Sequence, residues 1–193
     1  NMPDLSNLLS PKSICLIGAS KNPAKIGGIV LKNLQDGFNG QIYPVNPGET
    51  DINQLECFTK VSNLPVIPDL AIIAIPVNLA IATLEEIGQK GIKNVLIYTA
   101  GFKEIGESGA QIEKELIAVS QKYNLTVLGP NCLGFVNNSI NLNATFGQVP
   151  KTPGNLKIIS QSGAIATAIF DWCQTNNLGV DQLIENIKNS DFR

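Results

Sequence analysis

The stretch "ICLIGASKNPAKIGGIVLKNL", residues 14–34, passes from an apolar run through a turn of small residues into a helical apolar pattern. A strand, a tight turn and a helix in that order form the unit of a parallel sheet, because parallel neighbours need a crossover connection. A dinucleotide fingerprint starting at Gly18 requires glycine at positions 20 and 23, where Ser20 and Pro23 stand. The next apolar run ends "IYPVNPG", with Asn46 where an acidic residue should meet a ribose hydroxyl about twenty residues on. Both departures disfavour NAD. What survives is a general anion device: a turn of Gly18, Ala19 and Ser20, a helix N-terminus behind it, and Lys21 and Lys25 close by. The same residues also suit a bare turn with solvated lysines.

Outward from this unit, short apolar runs alternate with longer segments of helical period. Strands are predicted over Ser13–Ile17, Gln41–Val45, Leu70–Ile75, Asn94–Tyr98, Thr126–Leu128 and Leu156–Ile159. Helices are predicted over Ile26–Leu34, Leu79–Lys90, Ser108–Tyr123 and Ala164–Thr175. The βαβα order predicts an α/β fold with a Rossmann-like, doubly wound, mainly parallel sheet. In the helix 108–123, Ile112, Leu116, Val119 and Tyr123 form the buried stripe, while Glu113, Lys114, Glu115 and Lys122 are expected to face solvent.

The 193 residues carry a formal charge of -2, with no basic excess to mark a nucleic-acid or anionic-membrane surface. The most apolar segment, residues 70–82, is too short to span a bilayer and is broken by Pro76 and Asn78. Four cysteines without a CxxC pair, and no signal peptide, favour reduced thiols in a cytoplasmic protein. Met2 reads as the native start. The sequence contains no histidine, so Ser/His and Cys/His nucleophile pairs and His-based metal sites cannot be assembled from these residues.

Ligands of doubly wound sheets bind outside the carboxyl ends of the strands. The third strand exits into Ile75-Pro76-Val77, where Pro76 stops the strand and Asn78 is expected to cap the next helix. The fourth leads into Thr99-Ala100-Gly101, the fifth into "GPNCLG", residues 129–134. Small residues after four consecutive strand ends allow a long ligand to lie along the crest, close to the backbone. Cys132 has no imidazole to activate it and reads as a small buried hydrophobe. The last motif, "IISQSGAIATAIFDW", residues 158–172, places Ser160, Gln161, Ser162 and Gly163 at the start of a helix apolar nearly all round, which should therefore be buried. Its N-terminus, capped by Ser162, is a second place for a phosphate, and equally an ordinary capped start. No glycine stands two before Ser162, so this is not a serine-hydrolase elbow.

The Asn-, Pro- and Gly-rich stretch 137–154 reads as a linker, and "NNLGVDQLIENIKNSDFR", residues 176–193, as a polar tail with no further strand. The expected division is a Rossmann-like domain over 1–136, a linker over 137–154 and an incomplete second domain over 155–193. An incomplete second domain exposes apolar surface and favours a homo-oligomer.

Taken in order, "LLSPKSICLIGAS", "IYPVNP", "LAIIAIP", "TAGFKE", "GPNCLG", "LNATF" and "ISQSGA" resemble the CoA-binding start of the NDP-forming acyl-CoA synthetases, which include the α subunit of succinyl-CoA synthetase and the ADP-forming acetate-CoA ligases. The resemblance covers residues 5–177. It implies a Rossmann-like CoA-binding domain followed by the first βα unit of a flavodoxin-like domain. It also implies that Gly18, Ala19, Ser20, Lys21 and Lys25 meet the CoA phosphates, and that Val45, Asn46 and Pro47 flank the nucleotide. Ile75, Pro76, Val77, Thr99, Ala100 and Gly101 then line the adenine and pantetheine path, with Asn131 near the thiol. Ser160, Gln161, Ser162 and Gly163 look like the helix N-terminus that receives a phosphorylated histidine. The family's histidine and its ATP-grasp region, which uses ATP and ADP, are absent from this sequence. The resemblance thus implies a CoA-binding portion that does not complete the ligase reaction by itself and whose partners are the missing ligase and ATP-grasp domains or subunit. The alternative is a CoA-binding regulatory module of a protein acetyltransferase or similar multidomain protein.

Overall fold

The computed structural model describes residues 5–147, 149 and 154–185. A short helix α1 (Ser6–Leu9) leads into β1 (Ser13–Ile17), α2 (Ile26–Gln35) and β2 (Gln41–Val45). A small hairpin, β3 (Asp51–Ile52) and β4 (Leu55–Glu56), precedes β5 (Leu70–Ile73), α3 (Val77–Lys90), β6 (Asn94–Ile97), α4 (Glu107–Tyr123) and β7 (Thr126–Leu128). The chain continues through β8 (Gly134–Asn137), β9 (Leu142–Thr145), β10 (Leu156–Ser160), α5 (Gly163–Thr175) and β11 (Val180–Glu185).

Five strands form a parallel sheet in the order β2-β1-β5-β6-β7. The order reverses between β1 and β5, the switch point at which two diverging loops open a crevice. The central strands are apolar at consecutive positions because both faces are covered. Ile14, Leu16, Leu70, Ile72 and Leu96 pack on one side with Val30, Leu31 and Leu34 of α2. Cys15, Ile17, Ala71, Ile73, Val95 and Ile97 pack on the other with Leu84 and Ile87 of α3 and Leu116 of α4.

Two local expectations are corrected. Asn78 does not cap α3: Pro76 is the N-cap residue and no side chain caps that end. Proline already has the φ the helix start needs and no N–H to satisfy, so the helix starts at once. Glu113 does not face solvent either. It is 6% exposed, with Lys103 Nζ 3.3 Å from Oε1 and the Lys103 amide donating to Oε2 at 3.2 Å. The turn over Lys103–Ile105 folds back against α4 and covers that part of the helix face.

The larger correction concerns the end of the chain. β8, β9, β10 and β11 form a second sheet in the order β10-β11-β8-β9. Residues 137–145, read as linker, hold a hairpin, and the stretch read as a strandless tail contains β11. β10 and β11 are parallel, β11 and β8 antiparallel, so the hairpin supplies the neighbour that a lone βαβ unit lacks. Alternate positions are apolar and buried, as in Phe135, Leu142 and Ala144, while the intervening Asn143 accepts from the Thr145 amide and hydroxyl at 3.1 and 2.7 Å. That polar half makes the hairpin look like loop in sequence. Residues 148, 150–153 and 186–193 of the linker and tail, and Asn1 and Met2, lie outside the described residues.

α5 is also not buried all round. Ala166, Phe170 and Cys173 pack on the second sheet, but Ile165 and Trp172 are 58% and 59% exposed, because only one face of this helix meets a sheet. The two sheets are tied together by Tyr98 Oη donating to the Ala144 carbonyl at 2.7 Å and by Asn33 Nδ2 donating to Thr145 and Gly147 carbonyls at 2.9 and 3.1 Å. Among the described residues no helix is long and apolar enough to cross a membrane.

The sharpest packing constraint lies at the first turn. A Cβ on Gly27 would stand 1.8 Å from the Gly18 carbonyl oxygen, and one on Gly18 2.4 Å from that of Ala74. The second would also sit at φ +90°, a conformation L side chains avoid. Gly27→Ala therefore has to push α2 off the sheet. Its expected cost is about 1–3 kcal/mol, read as a lowered urea midpoint, whereas Gly48→Ala, whose Cβ would meet its nearest atom at 3.5 Å, leaves the midpoint nearly unchanged.

Candidate functional site

Beyond the last residues of the strands, hydrogen bonds continue sideways from loop to loop. The Gly18 amide donates to the Val45 carbonyl at 2.9 Å, Ala74 to Ile17 at 2.9 Å, and Tyr98 to Ile73 at 3.1 Å. Thr99 Oγ1 then donates to the Ile75 carbonyl at 2.7 Å, and the Asn131 amide to the Thr99 carbonyl at 3.0 Å. The crest is thus a rigid extension of the sheet.

Two open grooves run along this crest and meet at Ile75. The first, about 350 Å³, has Gly18, Val45, Asn46, Pro47 and Ile75 on one side and Leu79, Ala82, Thr83 and Glu86 of α3 on the other. The second, about 510 Å³, is lined by Lys25 and Ile26 at the start of α2, by Ile75, Pro76 and Val77, and by Tyr98, Thr99 and Ala100. Together they straddle the β1–β5 switch point. Ten residues singled out from the sequence line these grooves: Gly18 and those of β2 and its end line the first, Lys25 and those after β5 and β6 line the second, and Ile75 is common to both.

The first turn is shaped from within. Ser20 Oγ accepts from the Asn22 amide at 3.1 Å, and Asn22 Oδ1 accepts from the Ala24 amide at 2.9 Å. Lys25, extended at the N-cap, gives α2 no side-chain cap, so the first-turn amides of Ile26 and Gly27 lack an intrahelical partner. Asn46 Nδ2 donates to the Ala19 carbonyl at 2.8 Å while its Oδ1 accepts from Gly48 at 2.8 Å. A carboxylate in place of Asn46 could not make the first bond, which explains the missing ribose acid.

Not every candidate faces a groove. Ala19 is fully buried. Lys21 Nζ lies 2.9 Å from Glu49 Oε2 and 3.8 Å from Asp51 Oδ1, and the hydrogen bond to Glu49 raises its pKa. The Gly101 amide donates to Glu104 Oε1 at 2.5 Å. Cys132 is buried and burial pushes its thiol far above the ordinary range, with Glu185 adding to the shift; it remains a protonated hydrophobe. All four cysteines are free, and among the described residues no cluster of metal-ligating side chains occurs.

Ser160, Gln161, Ser162 and Gly163 lie at the carboxyl end of the second sheet. Ser162 caps α5, its hydroxyl accepting from the Ile165 amide at 3.4 Å, and Ser160 Oγ donates to the Ser162 carbonyl at 2.9 Å. Sequence reasoning missed the residue that joins this end to the crest. Glu185, 2% exposed, pairs with Ser160 of β10 on one side and Gly134 of β8 on the other. Its Oε2 accepts from the Leu133 amide, and its Oε1 would lie 4.0 Å from a Cβ on Gly163. The only sequence signal for it was a carboxylate closing the alternation of "VDQLIE", 180–185. Missed too were Thr59, Lys60 and Val61, brought beside Val45 by the parallel bridge of Val45 with Phe58, and the α3 face, legible as the i, i+3, i+4, i+7 set Leu79, Ala82, Thr83, Glu86.

A family model described as a CoA binding domain matches residues 12–138. The acetate–CoA ligase (ADP-forming) of Methanocaldococcus jannaschii is 42% identical over 94% of this chain, which spans 25% of that protein. The α subunit of acetate–CoA ligase (ADP-forming) I of Pyrococcus furiosus is 42% identical over 93% of this chain, which spans 40% of the subunit. Among solved structures, the apo form of the dinucleotide-forming acetyl-coenzyme A synthetase 1 of Ca. Korarchaeum cryptofilum superposes with a TM-score of 0.91 at 37% identity, over 98% of this chain and 41% of that one. The shared fold is the Rossmann-like one expected from the sequence.

Burial raises the Glu185 carboxyl above its ordinary 4.5, opposed by the hydrogen bond from Leu133. The native state then holds this proton at a pH where the unfolded chain has released it, so the group's contribution to stability falls as pH rises above 4.5. Glu185→Gln removes that ionisation. The variant's melting temperature is expected to gain on the parent's as pH rises above the ordinary 4.5; curves that stay parallel as pH rises contradict the assignment.

Proposed function

This chain belongs to the CoA binding domain family, and on that premise we propose that it is the CoA-binding portion of an ADP-forming acyl-CoA synthetase, which converts an acid, CoA and ATP to acyl-CoA, ADP and phosphate. The observation that carries the reading is the pair of grooves that meet at Ile75 across the switch point. A ligand with a flat base, a pyrophosphate and a long thin arm needs such a bent, continuous track, with anion donors near its middle.

The residues present fit that ligand. Val45, Pro47, Val61 and Leu79 give the first groove apolar walls for a base. The first amides of α2, which have no partner within the helix, with Lys25 beside them, suit the pyrophosphate, since a helix N-terminus favours negative charge. Pro76, Val77 and Ala100 leave a shallow apolar path for the arm, which ends at the loop of Asn131. Gly18, Ala19 and Ser20 act by holding the backbone in place, and Lys21 by pairing with Glu49.

Bound CoA supplies the thiol that takes up the acyl group. This chain's residues orient it: Thr99 and Asn131 fix the backbone at the arm's end, and Glu185 holds Leu133, and with it the Gly129–Gly134 loop, against the N-terminus of α5. Ser160, Gln161, Ser162 and Gly163 then present a phosphate-accepting helix end beside the thiol position. Imidazole chemistry and the ATP and ADP sites belong to regions outside these 193 residues, in further domains or a partner subunit; the chain spans only a quarter to two-fifths of the relatives it matches.

Calorimetric titration tests the reading: CoA binds and raises the melting temperature, and NAD at equal concentration does not. Ala82→Trp, at an exposed position of α3 facing the first groove, is expected to weaken CoA binding by about tenfold or more while the far-ultraviolet circular dichroism stays unchanged, since overfilling a site costs about 1–3 kcal/mol. Stabilisation by NAD and not by CoA sinks the proposal.

A further inference from the structure

The first groove contains one lysine, Lys60. The lysine closest to the fingerprint position in sequence, Lys21, is held by Glu49 and Asp51, and Lys25 lines the second groove. Lys60 is exposed and makes no ion pair among the described residues. The other charged group in its groove, Glu86, is engaged by the Ser62 amide at 2.8 Å, and Thr59 Oγ1 accepts from Asn63 Nδ2 at 2.9 Å. Lys60 is held in position by the extended segment that pairs Phe58 with Val45, through the Asn46 amide donating to the Phe58 carbonyl and the Phe58 amide to the Pro44 carbonyl, both at 2.9 Å.

The placement has a chemical consequence that rests on the CoA reading above. With a pyrophosphate at the start of α2 and the arm running toward Thr99, the remaining half of the ligand, its adenosine, occupies the groove on the other side of Ile75. CoA differs from ADP and from NAD there by a phosphate on the ribose 3′ oxygen. We propose that Lys60 binds this 3′-phosphate and makes the chain selective for CoA over adenosine diphosphates that lack it. An ammonium on a flexible stem meets a phosphate from several directions without needing a fixed fork, and a partner-free lysine loses no existing ion pair on binding.

The test is titration of CoA and of 3′-dephospho-CoA into the parent, Lys60→Gln and Lys21→Gln. The parent is expected to bind CoA about tenfold more tightly than 3′-dephospho-CoA, the scale of one charge-assisted hydrogen bond. Lys60→Gln loses that preference while its affinity for 3′-dephospho-CoA stays at the parent's value, and Lys21→Gln keeps the preference. Raising the salt concentration erodes the preference of the parent and leaves Lys60→Gln unaffected. A preference that survives Lys60→Gln, or a parent that binds the two ligands equally, overturns the role of Lys60 and leaves the CoA reading standing. A parent that binds neither overturns both.

Discussion

Everything at the crest depends on the contact of α2 with the turn it follows. Only glycine at 27 lets the helix approach the Gly18 carbonyl, and only glycine at 18 lets that turn lie on the backbone of Ala74. This double approach brings the N-terminus of α2 close to the end of β5, so that both border the second groove. Asn46 then locks the end of β2 onto the same turn through the Ala19 carbonyl. Backbone held this tightly requires no reorganisation to meet a ligand, which is the condition for binding through amides and short side chains.

The second sheet solves a different problem. A βαβ unit such as β10-α5-β11 leaves both outer strands with unpaired amides, and the β8-β9 hairpin covers one of them. Because Phe135, Leu142 and Ala144 of that hairpin belong to the main core, the second sheet is attached through shared apolar packing, reinforced by Tyr98, Asn33 and Asn137 Nδ2 donating to the Leu9 carbonyl at 2.8 Å. The other edge, β10, keeps Ile159 77% exposed. Glu185 sits where the two constructions touch. Its carboxyl group reaches from the crest loop at Leu133 toward Gly163, and it couples the orientation of that loop to the register of β11.

Much of the first sheet was legible because its strands and helices declare themselves within a few residues. β1, β2 and β7 have the ends expected from their apolar runs, and α2, α3, α4 and α5 differ from expectation by one or two residues at their ends. The hairpins were not legible. β3 and β4 have two residues each, below any periodic signal, and β8 and β9 carry asparagines that read as loop but are satisfied by their neighbours.

The sequence by itself determined the alternation of strand and helix, the failure of the dinucleotide fingerprint at Ser20, Pro23 and Asn46, the absence of imidazole, and the strand ends that line the grooves. These are local properties, readable from composition and from periods of two or 3.6 residues. Only the tertiary structure decided that Lys21 is paired while Lys60 has no ion pair among the described residues, since Lys21 meets Glu49 and Lys60 is carried to Val45 by the segment after β4. Only it placed Glu185 against Leu133, a pair 52 residues apart. Such pairings are set by packing between distant segments, which leaves no trace in the order of neighbouring residues.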